Sequence, residues 1–126
     1  MKKQIILTVN APAPIGPYSQ AVKVDNTLYV SGQIAINPAT GEMNMADIPT
    51  ETQQVMENLK AVLTAANATF DDIVLTTIFL SDMGYFGQVN QVYGSYFTGD
   101  FPARATVAVK TLPRNVNVEI SVIAAL

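Results

Sequence analysis

The 126-residue sequence contains no histidine, no cysteine and no tryptophan. Without histidine and cysteine, zinc fingers, catalytic zinc sites, iron–sulfur clusters and disulfides are excluded. The same absences exclude a Ser-His-Asp triad and a Cys-His pair. Any acid–base chemistry must therefore use Asp, Glu, Lys or Tyr side chains.

Charge is scarce as well. Charged residues make up 13% of the chain, against a usual share of roughly 25%. Because hydrophobic residues make up 49%, we expect part of the surface to be an oligomer interface. The net charge of -3 does not favour a nucleic-acid partner, which usually needs a basic face. No stretch approaches the ~20 apolar residues of a membrane span, so we expect a cytoplasmic protein without a membrane partner.

The hydrophobic pattern predicts a single domain over residues 1–126 with the element order βββαβαββ. One helix begins at Pro49 and a second spans 83–97. The run at 72–80 is β-branched, which predicts a strand buried on both faces. We therefore expect an α+β fold, with two helices on one face of a mixed sheet and the other face covered by oligomerisation. Strands are predicted over residues 3–9, 18–24, 27–34, 72–80, 104–110 and 116–124.

Arg104 is the most informative charged residue, because alternation places it among small apolar residues of a predicted strand. An unpaired buried guanidinium is costly, so it must be paired or face a polar cavity. One alternative is a structural ion pair with Glu119, which lies in an equally apolar strand. The other is a ligand carboxylate held by the guanidinium fork, with Glu119 nearby as proton shuttle. The sequence does not fix the strand register that separates these alternatives.

Other candidates are weaker. Tyr18 follows a Gly-Pro turn and is either aimed into a cleft or a half-buried strand residue. Gly32, after Ser31, indicates a bulge, a close approach of a ligand to the backbone, or ordinary sheet packing. Asn90 is by default a solvated polar residue of the second helix. Arg114 lies in a predicted turn, where we expect a solvated surface role.

Several motifs are distributed along the chain: Ile15-Gly16-Pro17-Tyr18-Ser19-Gln20-Ala21, Tyr29-Val30-Ser31-Gly32-Gln33-Ile34, Val89-Asn90 with Tyr93 and Tyr96-Phe97, Pro102-Ala103-Arg104, Leu112-Pro113 and Val118-Glu119-Ile120. Together they resemble the YjgF/YER057c/UK114 family, also called the Rid (reactive intermediate deaminase) family. The resemblance extends over almost the whole chain.

This resemblance implies a chorismate-mutase-like fold and a homotrimer, with inward-facing sheets and three pockets between subunits. It implies hydrolysis of 2-iminopropanoate and 2-iminobutanoate to 2-oxo acids and ammonia, without metal or cofactor. Arg104 would clamp the substrate carboxylate, Glu119 would order water and relay protons, and Tyr18 would close the pocket. The implied substrate-binding residues are Ser31, Gly32, Asn90 and Thr106.

Two positions depart from the family pattern. Thr106 stands where many of these deaminases have a cysteine, and Leu75 where many members have a lysine. Two other functions stay open: a non-catalytic sensor of small carboxylates, which the same pocket would serve, and an endoribonuclease, which the acidic charge and absent histidine disfavour.

Overall fold

A computed structural model of the protein describes residues 2–126. Two helices pack on a mixed six-stranded sheet, and the element types follow in the predicted order. No helix within the described range has the length and apolar character needed to cross a bilayer. The elements are β1 (Lys3–Ile6), β2 (Ala21–Val24), β3 (Thr27–Gln33), α1 (Ile48–Ala65), β4 (Ile73–Leu80), α2 (Phe86–Gly94), β5 (Ala103–Ala108) and β6 (Val118–Ala125).

The strands lie side by side in the order β1-β2-β3-β6-β4-β5. Only β4 and β5 run parallel; the other neighbours are antiparallel. The helix α1 packs on β3 and β6 and also contacts α2. The hydrophobic core therefore lies between the helices and one face of the sheet.

Two predicted elements are shorter in the structure. The strand predicted over 3–9 ends at Ile6 because the buried Gln20 side chain takes over the hydrogen bonds of Thr8, accepting from its N–H at 2.7 Å and donating to its carbonyl at 3.0 Å. The helix predicted over 83–97 becomes α-helical only at Phe86, after a 3₁₀ turn in which the Asp82 carboxylate accepts from the Gly84 N–H at 2.6 Å.

The prediction that β4 is buried on both faces is wrong for the single chain. Thr76, Ile78 and Leu80 face the helices and are fully buried. On the other side, Leu75 is 38% exposed, and Val74 at the strand's bulge is 49% exposed. The apolar run arises because this outer face is hydrophobic although nothing within the described chain covers it.

A carboxylate without a counter-charge joins the start of α1 to the start of β6. Glu51 is fully buried, and its two oxygens accept hydrogen bonds from the N–H of Asn117 at 2.8 Å, the Asn117 amide at 2.9 Å and the N–H of Val118 at 3.0 Å. Three N–H donors satisfy a group that would otherwise be costly to bury. This contact fixes the backbone immediately before Glu119.

We expect Glu51→Gln to lower the free energy of unfolding by about 1–3 kcal/mol, because the new amide turns N–H groups toward buried N–H donors. Urea denaturation at a fixed protein concentration measures this loss. Glu57→Gln in the same helix is the matched control, since Glu57 is exposed, and should change stability by less than about 0.5 kcal/mol. Equal stability of the two variants would contradict a structural role for the buried carboxylate.

Candidate functional site

Arg104 lies on β5, at the edge of the sheet and on the helix side. Its register partner in β4 is Thr76, whose hydroxyl accepts a 2.8 Å hydrogen bond from Tyr93 of α2. The guanidinium carbon lies 5.2 Å from the centre of the Tyr93 ring and 5.5 Å from that of Phe86. Two aromatic faces thus hold the cation, while its planar N–H fork keeps the geometry needed for a carboxylate.

A cavity of about 370 Å³ opens beside Arg104. Asn90 lines this cavity from α2, so the predicted Asn90 and Arg104 do come together. Thr106 follows on the same face of β5, and its Oγ1 is buried without a hydrogen-bond partner among the described residues. Buried polar atoms normally have a partner, but Thr106 is not among the residues that line the Arg104 cavity, so the single chain does not bring it together with Asn90 and Arg104.

Glu119 lies on the opposite face of the sheet, over Gly32 of β3. The β3–β6 register shifts between Val30 and Gln33, so of the alternatives left open for Gly32 the structure shows a bulge in the strand. A Cβ atom on Gly32 would meet the Glu119 carboxyl group, with Cδ at 2.8 Å and Cγ at 3.0 Å. Glycine at position 32 therefore makes the space in which the carboxyl group lies. Burial raises the pKa of the Glu119 carboxyl above its ordinary value, as expected for an acid removed from water.

A second cavity, of about 520 Å³, brings together most of the remaining predicted residues. Tyr18, Ser31, Gly32 and Glu119 all line it. The Ser31 hydroxyl donates to the Ser19 carbonyl at 2.6 Å, and the Tyr18 hydroxyl accepts from the Ile15 N–H at 3.3 Å. The first bond attaches the N-terminal loop to β3, and the second lies within that loop, which forms one wall of the cavity.

The predicted alternative of a structural ion pair between Arg104 and Glu119 is wrong. The strand β5 pairs with β4 and not with β6, and Thr76 of β4 is level with both Arg104 and Val122. Val122 faces the core, and Glu119, an odd number of residues away, faces the opposite side. The two residues therefore lie on opposite faces and line different cavities.

Two contributors to the Glu119 cavity escaped prediction. Arg114 lies in the expected turn, the 3₁₀ segment Pro113–Asn115, but its side chain lines the cavity. Gln20 also lines it, and its buried amide donates to the Pro12 carbonyl at 2.9 Å. Arg114 is one of only two arginines in the sequence, but it lies within a turn, where no hydrophobic periodicity indicates its surroundings. Within residues 2–126, no group of three or more acidic side chains could hold a metal ion.

Comparison with known proteins covers nearly the whole chain. The family model described as Endoribonuclease L-PSP matches residues 8–126. A RutC family protein of Pyrococcus horikoshii is 49% identical over 97% of both chains. The 2-iminobutanoate/2-iminopropanoate deaminase of Mus musculus is 47% identical over 97% of this chain and 90% of its own.

A solved structure has the same fold. The crystal structure of TdcF of E. coli with bound serine superposes with a TM-score of 0.94 at 38% identity, over 98% of both chains. Together with the matched family model, these similarities place the chain in the YjgF/Rid family, the Endoribonuclease L-PSP family.

Proposed function

We propose that this protein hydrolyses reactive 2-imino acids, such as 2-iminopropanoate and 2-iminobutanoate, to 2-oxo acids and ammonia. One observation carries the proposal: a ring-supported arginine and a desolvated glutamate each line a cavity, and neither is consumed by pairing with the other. The relative from Mus musculus, named for this reaction, supports the substrate class.

The active form in this proposal is a homotrimer of chorismate-mutase-like subunits, with their outer sheet faces turned inward. The apolar side chains of that face include Tyr29 at 49% and Val107 at 44% exposure. Contiguous exposed apolar surface of this kind marks an interface. Because β5 is an edge strand, Arg104 can reach a neighbouring subunit. Each of three sites would then combine Arg104 of one subunit with Glu119 of the next.

Substrate binding follows from the donors present. Arg104 clamps the carboxylate in two parallel hydrogen bonds, and the backbone at Gly32 contributes from the other subunit, since the Ser31 N–H already donates to the Gln20 carbonyl at 2.9 Å. Asn90 and the unpartnered Thr106 hydroxyl border the same carboxylate. Clamping fixes the imine carbon beside a water molecule, which lowers the barrier through orientation. Tyr18 closes the cavity and donates a hydrogen bond.

The chemistry needs one proton carrier. A protonated imine is already electrophilic, so water adds to its carbon while its nitrogen takes the C=N π electrons. The attacking water gives a proton to the Glu119 carboxylate. Glu119 returns that proton to the nitrogen of the carbinolamine and accepts the hydroxyl proton as C=O forms and the C–N bond breaks. The ammonia that is released takes this second proton from Glu119 and leaves as ammonium, so Glu119 is again a carboxylate. The net change is iminium plus water to 2-oxo acid plus ammonium.

RNA cleavage is less well supported than imine hydrolysis. A nuclease needs cations along the phosphate backbone, whereas the net charge is -3 and the sequence has seven lysines and arginines. The absence of histidine also removes the usual general acid–base pair. The family description alone does not outweigh this chemistry.

Arg104→Ala should lower kcat/KM for 2-iminobutanoate by about a hundredfold or more, since removing one partner of a desolvated charge pair costs ~2–5 kcal/mol. The imine is generated in place by a threonine dehydratase, and 2-oxobutanoate release is followed. Lys60→Ala, on the outer surface of α1, should leave the rate unchanged. A wild-type protein without acceleration would refute the deaminase function. Binding of 2-oxobutanoate, lost with Arg104→Ala, would then indicate a carboxylate sensor.

Mixed oligomers test the shared site. Arg104→Ala and Glu119→Gln subunits are each expected to be inactive, whereas random mixed trimers should recover about a quarter of the wild-type sites, because a head-to-tail interface pairs intact halves. Activity after co-refolding of the two variants, with the mass measured by light scattering, checks this. Absence of recovery in verified mixed trimers would refute a site that combines Arg104 and Glu119 from different subunits.

Glu119→Gln should abolish turnover yet stabilise the protein at neutral pH. Since burial raises the native pKa of Glu119, the native protein binds more protons than the unfolded chain, and stability falls as pH rises through that pKa. The Tm of Glu119→Gln should match wild type near pH 4, around the ordinary glutamate pKa, and exceed it at pH 7–8. Glu42→Gln, on an exposed turn, is the control. A Tm difference independent of pH would contradict the desolvated carboxyl group.

A further inference from the structure

The cavity that holds Glu119 is larger than a three- or four-carbon imino acid requires. Its volume of about 520 Å³ falls within the ~300–1,000 Å³ of cavities that enclose much larger ligands. Its lining is partly apolar, with Ile15, Ile34 and Ile36 on its walls. A substrate with a longer side chain would fill this space.

One cation lies on the wall of this cavity. Among the described residues that line it, Arg114 is the only positively charged one, and Glu119 the only carboxylate. Both belong to the same chain and stand five positions apart in the sequence, with β6 starting between them. Their relation therefore does not depend on a neighbouring subunit.

The turn that carries Arg114 is firmly held. Leu112 and Val116 on either side are buried, at 9% and 1% exposure. Arg114 and Asn115 both have left-handed backbone conformations, with φ of 56° and 55°. Two successive non-glycine residues in this region are strained, and such strain persists where surrounding contacts impose it. The base of the Arg114 side chain is thus set by the fold.

The guanidinium has no anionic partner within residues 2–126. Its recorded contact is a hydrogen bond from Nη1 to the Met43 sulfur at 3.8 Å. A thioether is a weak acceptor, and a planar fork with five N–H donors can bind a carboxylate more strongly. Arg114 is therefore free to bind an anionic group in the cavity.

We infer that Arg114 recognises a second acidic group, so that the preferred substrates are 2-imino dicarboxylic acids with the length of 2-iminosuccinate or 2-iminoglutarate. This inference rests on the proposed deaminase function and names its substrate class. Arg104 binds the carboxylate next to the imine carbon, and Arg114 binds the carboxylate at the far end. Such imines are released by flavin oxidases that act on acidic amino acids, which is the class of reaction that supplies this substrate.

The test compares two substrates of nearly equal shape. Amino-acid oxidases generate 2-iminoglutarate from glutamate and its amide counterpart from glutamine, and hydrolysis is followed as loss of the trapped imine. We expect wild type to favour the dicarboxylate about tenfold or more in kcat/KM, as one charge-assisted hydrogen-bonded contact provides. Arg114→Gln should remove this ratio, Arg114→Glu should invert it, and Arg114→Lys should retain part of it. Lys60→Gln controls for the loss of one positive charge.

The outcomes separate the two hypotheses. Hydrolysis of both imines at equal efficiency, or a preference that survives Arg114→Gln, overturns the role of Arg114 while leaving the deaminase intact. If neither imine is hydrolysed, the proposed function fails, and binding of 2-oxoglutarate and its amide counterpart is measured by calorimetry. Tighter binding of the dicarboxylate, lost in Arg114→Gln, still supports the second anion position, and equal binding of the two acids overturns it.

Discussion

A buried hydrogen bond between the hydroxyls of Tyr93 and Thr76 is the interaction on which the site depends. It joins α2 to the middle of β4 at 2.8 Å, and both residues lie in the core. The same Tyr93 ring supports the Arg104 guanidinium, and Thr76 is the register partner of Arg104. Helix, sheet and cation are therefore fixed relative to one another by a single tyrosine. Burial raises the pKa of the Tyr93 hydroxyl, so it stays a protonated donor at neutral pH.

The position of β4 imposes a second constraint. It pairs with β5 on one side and with β6 on the other, and the pleat sends Arg104 and Glu119 to opposite faces. One chain therefore offers a cation and a carboxyl group that cannot meet within the same sheet. The outer face of the sheet is apolar, so one assembly would cover that face and bring the two halves together. Oligomerisation and completion of the site have the same physical origin in our proposal.

Periodicity predicted which elements form, but not how they pair. The alternation of side chains correctly placed Arg104 on the opposite face of β5 from the residues next to it in sequence, because a period of two indicates the face on which a strand residue lies. It could not report that β5 joins β4 in parallel rather than β6, since strand partners depend on connections far apart in sequence. A glycine inside a strand made a bulge at Gly32 one of several alternatives, and only the strand register distinguishes them. The burial of Glu51 was not predictable, because two of its three donors are backbone N–H groups, which no residue type indicates.

The turn residues show a different limit. Arg114 lies between Pro113 and Asn115, which are typical turn residues, and a turn is usually solvated. Its left-handed backbone has no glycine to signal it. What distinguishes Arg114 is only the cavity beside it, which forms when the N-terminal loop is tied down by Gln20. Sequence patterns therefore miss side chains whose surroundings depend on a loop that is distant in the sequence.

The scarcity of charge gives the remaining ionisable groups their chemical value. With 13% charged residues, few countercharges surround Glu119, and burial keeps its pKa high. Burial removes the Glu119 carboxyl group from water, so it holds its proton more tightly than an ordinary exposed glutamate. The fold accepts a desolvated carboxyl group there because other contacts hold its surroundings. Gly32 leaves room for the carboxyl group, and Glu51 fixes the backbone immediately before Glu119. The stability lost at Glu119 is thus confined to the one position where desolvation is useful.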